Sequence, residues 1–224
     1  MQFRTSLSHQ SIQINHMQMN LKLLLAALFI LSGNALFGQD SFENKNRWYY
    51  DSTRVFFQDG LVTMPSNAKG TMMVLNDAYF EKAEIEFDFK GRDEMQESFL
   101  GLAFNIQSAT IFEWLYFRPF NFENEERKTH SVQYVFEPVY TWKVLRENFP
   151  DKFENEIVPA PKAESWVHAK IILTPSNVKV FVNNSDEPSL VVDRISLVKN
   201  GNIGFFASGK SPAEFKNLKI KKEL

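Results

Sequence analysis

The feature that most constrains this chain is a strict two-residue alternation over residues 83–89, which read AEIEFDF. Every second residue is apolar, and the residues between them are acidic. Since side chains on a strand point alternately to its two faces, the pattern predicts a strand with one face on a core and the other in water.

Short apolar segments of the same kind recur along the chain with turn residues between them. Asp59-Gly60 and Pro175-Ser176-Asn177 are typical of tight connections between strands. The segments predicted as strands are 55–57, 61–64, 99–106, 113–118, 131–136, 167–173, 178–182, 189–192, 203–207 and 213–220. Short strands at this spacing, without long helical periodicity after residue 40, predict one all-β domain, an antiparallel β-sandwich, and exclude a βαβ nucleotide-binding fold.

One long segment departs from this pattern. Residues 137–165 contain four prolines, and only 142–149 fit a short helix of two turns. Loops of this length are usually functional or poorly ordered, and we expect this one to cover one side of a sheet.

The N-terminal region predicts export. Residues 21–32 are an apolar run of about a dozen with Lys22 near its start, followed by small and polar residues. This run is short for a bilayer span, so residues 1–38 are predicted to be a cleaved signal peptide and 39–224 the mature domain, without a membrane span. We expect translation to start at Met17 or Met19, which would leave residues 1–16 outside the protein. The predicted location is the periplasm or the exterior of a bacterium.

Composition excludes several classes of function. The chain has 25 Lys and Arg against 27 Asp and Glu, which argues against a nucleic-acid partner. It has no cysteine, so disulfides and thiolate chemistry are excluded. The histidines lack the spacing of metal ligands, and no cofactor or metal is predicted.

Several motifs in residues 80–220 resemble a known superfamily. They are Trp166 before a strand, Gly201-x-x-Gly204-Phe205, Phe215-x-Asn217-Leu218-x-Ile220, Tyr116-Phe117-Arg118-Pro119 and Val132-Gln133-Tyr134. Together they resemble the concanavalin A-like lectin/glucanase domains, which include laminin-G-like modules and bacterial secreted proteins classed with glycoside hydrolases. The resemblance implies a jelly roll of two curved antiparallel sheets with ligands on the concave one.

Alternation along four segments gives a candidate site, on the assumption that their outward faces belong to one sheet. That face would bring together carboxylates, two side-chain amides, aromatic rings and a guanidinium, which is the combination of groups that a sugar-binding site requires. The candidates are Glu84, Glu86 and Asp88 as acids and Asn105, Trp114, Tyr116, Arg118 and Gln133 as ligand-binding residues, with Trp142 on the long loop as a wall. The alternative interpretation is a solvated acidic face, with Arg118 as a structural partner of Glu86 or Asp88.

Three functions follow from these candidates. The first is a secreted lectin-like module that binds a poly- or oligosaccharide, with carbohydrate as its partner. The second is a retaining glycoside hydrolase, because the residues EIEFD at 84–88 resemble the acidic strand of laminarinase-like enzymes. In that case Glu84 would be the nucleophile, Asp88 the acid/base and Glu86 a residue between them. The third is a protein-interaction or envelope module; the oligomeric state is not predicted.

Overall fold

Residues 42–76 and 78–222 are described by a computed structural model, in which the strands form two seven-stranded antiparallel sheets. The sheets pack face to face, so the predicted antiparallel β-sandwich is confirmed. The predicted signal peptide and start site lie outside the described residues.

The first sheet, here called the front sheet, has the strand order β1-β4-β13-β6-β7-β8-β9. Its strands are β1 (Trp48–Tyr49), β4 (Asn67–Leu75), β6 (Phe99–Ser108), β7 (Ile111–Phe117), β8 (Val132–Glu137), β9 (Glu154–Asn155) and β13 (Asn202–Gly209). The second, here called the back sheet, has the order β12-β11-β10-β5-β14-β3-β2. Its strands are β2 (Phe56–Gln58), β3 (Leu61–Met64), β5 (Ala83–Lys90), β10 (Val167–Leu173), β11 (Asn177–Val182), β12 (Leu190–Asp193) and β14 (Ala213–Lys222).

Aromatic side chains join the two sheets in the core. Phe89 on β5 stacks on Phe117 of β7 with ring centroids 4.2 Å apart, and Phe87 meets Phe205 of β13 edge-on at 4.9 Å. Along β5, buried and half-buried residues alternate strictly, so the inward and outward sets predicted for residues 83–89 are confirmed. Burial of such rings supplies the main stabilising free energy of the sandwich.

The turn chemistry also agrees with the sequence. Between β2 and β3, Asp59 and Gly60 have φ values of 51° and 76°, the left-handed pair that a two-residue hairpin of type I′ requires. Aspartate tolerates this region better than most residues, and glycine has no Cβ to oppose it.

The long segment after β8 forms the predicted helix. The helix α1 spans Trp142–Asn148, and the hydroxyl of Thr141 accepts the amide hydrogen of Val144 as an N-cap. The chain then returns as β9, which pairs with the start of β8 at the edge of the front sheet. The segment therefore extends the front sheet and adds a helix beside its outer face.

Candidate functional site

A cleft of about 940 Å³ lies on the outer face of the front sheet. Its floor is built by β7 and β13, and one wall is formed by α1. Lining residues come from β4, β6, β7, β8, β13, α1 and the segment between β7 and β8; they include Phe99, Trp114, Tyr116, His130, Trp142 and Phe206.

Alternation along β7 places the aromatic floor. Trp114 and Tyr116 point to the same face and stack with ring centroids 4.0 Å apart, and Phe206 from β13 meets Trp114 edge-on at 4.8 Å. Because the rings cover one another, Trp114 is only 6% exposed and Tyr116 only 2%. The two rings therefore form a rigid floor, with little free surface of their own.

A hydrogen-bond network continues the floor beyond Tyr116. The Tyr116 hydroxyl donates to Gln133 Oε1 over 2.7 Å, and Arg118 Nη2 donates to the Tyr116 oxygen over 2.7 Å and also to Gln133 Oε1. Burial raises the pKa of Tyr116 to about 12, against the opposing charge of Arg118. Tyr116 is thus a protonated donor at neutral pH, and Gln133 lies beneath the cleft as its acceptor.

Glu154 on β9 is the centre of a charge cluster at this end of the cleft. Arg146 of α1 binds it through two hydrogen bonds, Nε to Oε1 over 2.7 Å and Nη2 to Oε2 over 2.6 Å. Arg118 Nη1 lies 3.4 Å from Oε2. Burial alone would raise the pKa of Glu154, but the bonds and charge of Arg146, with His130 and Arg118, hold it below its ordinary value. Glu154 therefore remains ionised although its side chain is only 3% exposed.

His130 joins this cluster from a 3-10 turn, Lys128–His130, just before β8. Its Nδ1 lies 3.0 Å from Glu154 Oε2, outside hydrogen-bond geometry in this structure. Its carbonyl oxygen accepts from Arg118 Nη1 over 2.8 Å and from Asn121 Nδ2 over 3.0 Å. These two bonds hold the backbone of His130, and they place the imidazole beside Glu154 at the cleft.

The accessible aromatic surface of the cleft belongs to α1. Trp142 is 48% exposed, and the guanidinium of Arg146, one turn later, lies 5.3 Å from the centre of its ring. Residues i and i+4 share a helix face, so the indole and the guanidinium reach the cleft together. The α1 wall of the cleft therefore presents an exposed indole ring with a guanidinium next to it.

Glu137 stands at the opposite end of the floor, across from Phe112 in the β7–β8 ladder. It lines the cleft, and burial raises the pKa of its carboxyl. Within the described residues its carboxylate has no hydrogen bond or ion pair. Like the imidazole of His130, the carboxyl of Glu137 is a group in the cleft that can exchange a proton.

The acidic residues of β5 lie elsewhere, and the assumption that all four segments share one sheet is wrong. β5 pairs with β10 and β14 in the back sheet, so Glu84, Glu86 and Asp88 face outward on the side of the sandwich opposite the cleft. Asp88 accepts from Asn217 Nδ2 over 2.6 Å and lies 2.8 Å from His168 Nδ1. The suggested partnership of Arg118 with Glu86 or Asp88 is wrong for the same reason.

Asn105 also lies outside the cleft. The register of β6 and β7 shifts between Phe104 and Ser108, and Asn105 sits in this irregularity with φ at 50°. Its Nδ2 donates to Glu113 Oε1 over 2.8 Å and to Val198 O over 2.5 Å. The bulge turns the side chain away from the outward row, into a structural network.

That network is centred on a buried charge that the sequence analysis did not single out. Glu113 is fully buried, and Arg194 Nη2 donates to its Oε1 over 2.6 Å. The hydroxyl of Tyr134 donates to Oε2 over 2.6 Å. The signal was present in the alternation, because Glu113 falls on the inward side of β7 with Leu115 and Phe117.

Of the ligand-binding candidates, Trp114, Tyr116, Arg118 and Trp142 line the cleft, and Gln133 lies just beneath it. The sequence analysis missed three groups, His130, Glu137 and Arg146, together with Glu154 below them. His130, Arg146 and Glu154 lie in a 3-10 turn, in the short helix and on a two-residue strand, where no strand alternation could give their orientation. Glu137 ends β8 and follows the outward alternation of Gln133, so its direction could have been inferred.

Two further findings apply to residues 42–76 and 78–222. They contain no group of three or more His, Cys, Asp or Glu residues arranged to hold a metal ion. No helix among them has the length and hydropathy needed to cross a membrane.

Sequence comparison gives one family match. A family model described as the 3-keto-alpha-glucoside-1,2-lyase-like domain matches residues 33–221. No curated protein sequence matches the chain.

Solved structures share the fold at low sequence identity. A candidate glycosyl hydrolase from Parabacteroides distasonis has a TM-score of 0.55 at 13% identity, over 82% of this chain and 91% of its own. The carbohydrate-binding module CBM66 from Bacillus subtilis has a TM-score of 0.58 at 12% identity, over 79% of this chain and 96% of its own. The exoplasmic/lumenal domain of VIP36, in a Ca²⁺/Man3GlcNAc-bound form, has a TM-score of 0.56 at 11% identity, over 82% of this chain and 87% of its own. The shared fold is concanavalin A-like, of the glycosidase and lectin type; the laminin-G-like resemblance stays a prediction.

Proposed function

Because this chain belongs to the family of 3-keto-alpha-glucoside-1,2-lyase-like domains, we propose that the cleft on its front sheet binds a glycoside. The observation that carries the proposal is the combination of an exposed indole, Trp142, with a rigid aromatic floor and a cation cluster in one cleft of about 940 Å³. Flat apolar rings match the C–H faces of a pyranose, and the charged and amide groups match its hydroxyls.

The length of the cleft leaves room for a ligand of two or more sugar rings. Along β7 and the residue after it, the floor from Phe112 to Arg118 spans seven residues and therefore six steps, or about 20 Å at roughly 3.3 Å per step. One end carries the Glu137 carboxylate and the other the cluster of Arg118, Arg146 and Glu154. A glycoside along the floor would therefore meet a carboxylate at one end and guanidinium groups at the other.

Unpaired polar atoms at the floor add to the case for a polar ligand. Trp114 Nε1 and Asn121 Oδ1 are buried, without a hydrogen-bond partner in the described part of the chain, and both residues line the cleft. An unpaired buried polar atom costs about 1–3 kcal/mol. Hydroxyl groups that reach the floor could satisfy the indole N–H as acceptors and the amide oxygen as donors.

Substitution of Trp142 tests this proposal. Trp142→Ala removes the open ring from an exposed helix position, and we expect sugar affinity to fall about tenfold, which corresponds to ~1.4 kcal/mol. Trp166→Ala is the matched control, because Trp166, which immediately precedes β10 of the back sheet, also has a cation, Lys216, 4.0 Å from its ring centre. Titration calorimetry with α-glucosides and their 3-keto derivatives measures both variants. Equal affinity of Trp142→Ala and wild type, or equal losses in both variants, would contradict the proposal.

Cleavage of the bound glycoside is a second candidate function. Its specific support is that two groups able to exchange a proton, Glu137 and His130, line the cleft of a domain from this family. In a 3-keto-α-glucoside the ketone at C3 makes the hydrogen on C2 acidic, so a base can start a 1,2-elimination that breaks the C1–O bond. A lectin-like module would bind the same sugars without turnover.

Export remains part of the proposal. A signal peptide at residues 1–38 would place the domain in the periplasm or outside a bacterial cell, where it would meet glycosides. Cell fractionation of an epitope-tagged full chain tests this, and retention in the cytoplasm with an intact N-terminus would contradict it.

A further inference from the structure

We propose that His130 is the base that removes the C2 proton of a 3-keto-α-glucoside, and that Glu154 is its positioning residue. The inference rests on the second candidate function, cleavage by elimination. It assigns the proton transfer to the end of the cleft where the guanidinium groups lie, and not to Glu137 at the other end.

The exposed edge of the His130 ring is the one that carries Nε2. The side chain is 28% exposed, yet its Nδ1 is buried. The solvent-accessible atoms therefore belong to the rest of the imidazole, and His130 lines the cleft. A substrate in the cleft meets the Nε2 edge.

The position of Glu154 selects the tautomer that can act as a base. Its Oε2 lies 3.0 Å from Nδ1, so a small rotation of the ring gives an N–H···O bond, and hydrogen bonds of this kind often tighten only when substrate binds. A proton held on Nδ1 leaves the lone pair on Nε2. Glu154 itself cannot turn away, because Arg146 binds both of its oxygens.

The step balances without a further reactant. His130 Nε2 takes the proton from C2, and the C–H electron pair forms an enolate with its charge on the C3 oxygen. That pair then forms the C1=C2 double bond as the C1–O bond breaks. The departing oxygen takes a proton from water, and the imidazolium returns its proton to solvent. Arg146, whose side chain is 35% exposed, supplies positive charge beside the enolate.

The charges around His130 determine how well the imidazolium formed in the reaction is stabilised. The charged or polar neighbours are Glu154 from β9, Arg118 after the end of β7, Arg146 from α1, Asn121 from the turn after β7, Lys128 from its own turn and Arg127 just before that turn. Glu154 is the anion among them in direct reach of the ring. Loss of its charge therefore removes the anion that stabilises the imidazolium formed when His130 takes the substrate proton.

The test measures p-nitrophenol release from p-nitrophenyl 3-keto-α-glucopyranoside by full-length protein, with the sugar product identified by NMR. We expect His130→Gln to lower kcat about 10²- to 10⁴-fold, and imidazole in the buffer to restore part of the rate of His130→Ala. The matched control is His168→Gln, which removes a histidine of similar exposure, also beside a carboxylate, from the back sheet. Its rate should equal that of wild type.

Glu154→Gln separates positioning from a purely structural role. We expect the acid limb of its kcat–pH profile to move to lower pH, because the anion beside the imidazolium is lost, and reduced folding alone would not cause such a shift. An unmoved limb in a folded variant would overturn the role of Glu154, and wild-type rates in His130→Gln would overturn that of His130. If wild type binds glucosides but releases no p-nitrophenol, the cleavage function itself fails, and the role of His130 with it.

Discussion

The front and back faces of the sandwich each hold a histidine beside a carboxylate, in different surroundings. His130 and His168 are equally open to solvent, with side chains 28% and 26% exposed. Their carboxylate partners differ, because Glu154 is 3% exposed and Asp88 is 19% exposed. The front pair is enclosed, whereas the back pair lies among open strand residues.

The cause of this difference is the segment that follows β8. It adds α1 and β9 to the edge of the front sheet and supplies Trp142, Arg146 and Glu154 from residues close in sequence. The acids of β5 have only neighbouring strand side chains, such as Lys219, 3.8 Å from Glu86. Outward polar residues of this sandwich therefore form a candidate site where additional elements, here α1 and β9, enclose them.

The largest expected effect of this difference is on stability. Glu154→Ala leaves the guanidinium groups of Arg118 and Arg146 without their shared carboxylate, and removal of one partner from a buried ion pair should cost about 3 kcal/mol of unfolding free energy. Asp88→Ala on the back face should cost less than about 1 kcal/mol, since partly exposed pairs contribute little. Urea denaturation with unchanged m-values measures both. Similar losses in the two variants would remove the distinction between the faces.

The acid dependence of stability sharpens the same contrast. Because the pKa of Glu154 is lower in the folded protein than its ordinary value of 4.5, its ionisation stabilises the fold fully above that value. This contribution disappears as the pH falls through the lowered pKa. We therefore expect the stability gap between wild type and Glu154→Gln to be constant near neutral pH and to shrink below about pH 4.5. A gap that widens in acid would contradict this assignment.

The sequence predicted the strands other than β1, β4 and β9, because the formation of a strand depends largely on local patterns. Alternation at 83–89 and the turn at Asp59-Gly60 both follow from side-chain direction and backbone preference, which neighbouring residues determine. Alternation cannot tell which sheet a strand joins, since both sheets bury one face of each strand. The position of β5 beside β10 and β14 depends on contacts distant in sequence, and for this reason the acidic row was assigned to the wrong face.

The candidate site was predictable only where it lies on a regular strand. Trp114, Tyr116 and Arg118 follow one another at every second position of β7 and its end, so their common face could be inferred. His130 and Glu154 meet through a 3-10 turn and a two-residue strand. The approach of these two residues depends on the path of the segment between them, which no periodicity encodes.

Substitution of Glu137 is expected to have a smaller effect on the unfolding free energy, and to raise it where substitution of Glu154 lowers it. Because burial raises the pKa of this carboxyl, its ionised form opposes folding at neutral pH. Glu137→Gln should therefore raise the unfolding free energy at pH 7 by a few tenths of a kcal/mol, after allowance for solvent screening. The gain should vanish in acid, where the wild-type carboxyl is neutral. Glu86→Gln is the control on the back face, and it should be neutral or slightly destabilising because it weakens contacts with Lys219 and His168. A loss of stability in Glu137→Gln at pH 7 would contradict this account.

Glu84→Gln is expected to change neither sugar affinity nor turnover. This residue would be the nucleophile if the acids of β5 formed a retaining glycosidase site, and its loss would then abolish turnover. In the structure it faces outward on the back sheet, across the core from Trp114 and His130. Since a side chain there cannot touch a sugar in the cleft, Glu84→Gln should keep wild-type affinity for α-glucosides and wild-type release of p-nitrophenol from the 3-keto substrate. A large loss of either property, with unchanged stability, would move the carbohydrate site to the back face and reverse the comparison between the two sheets.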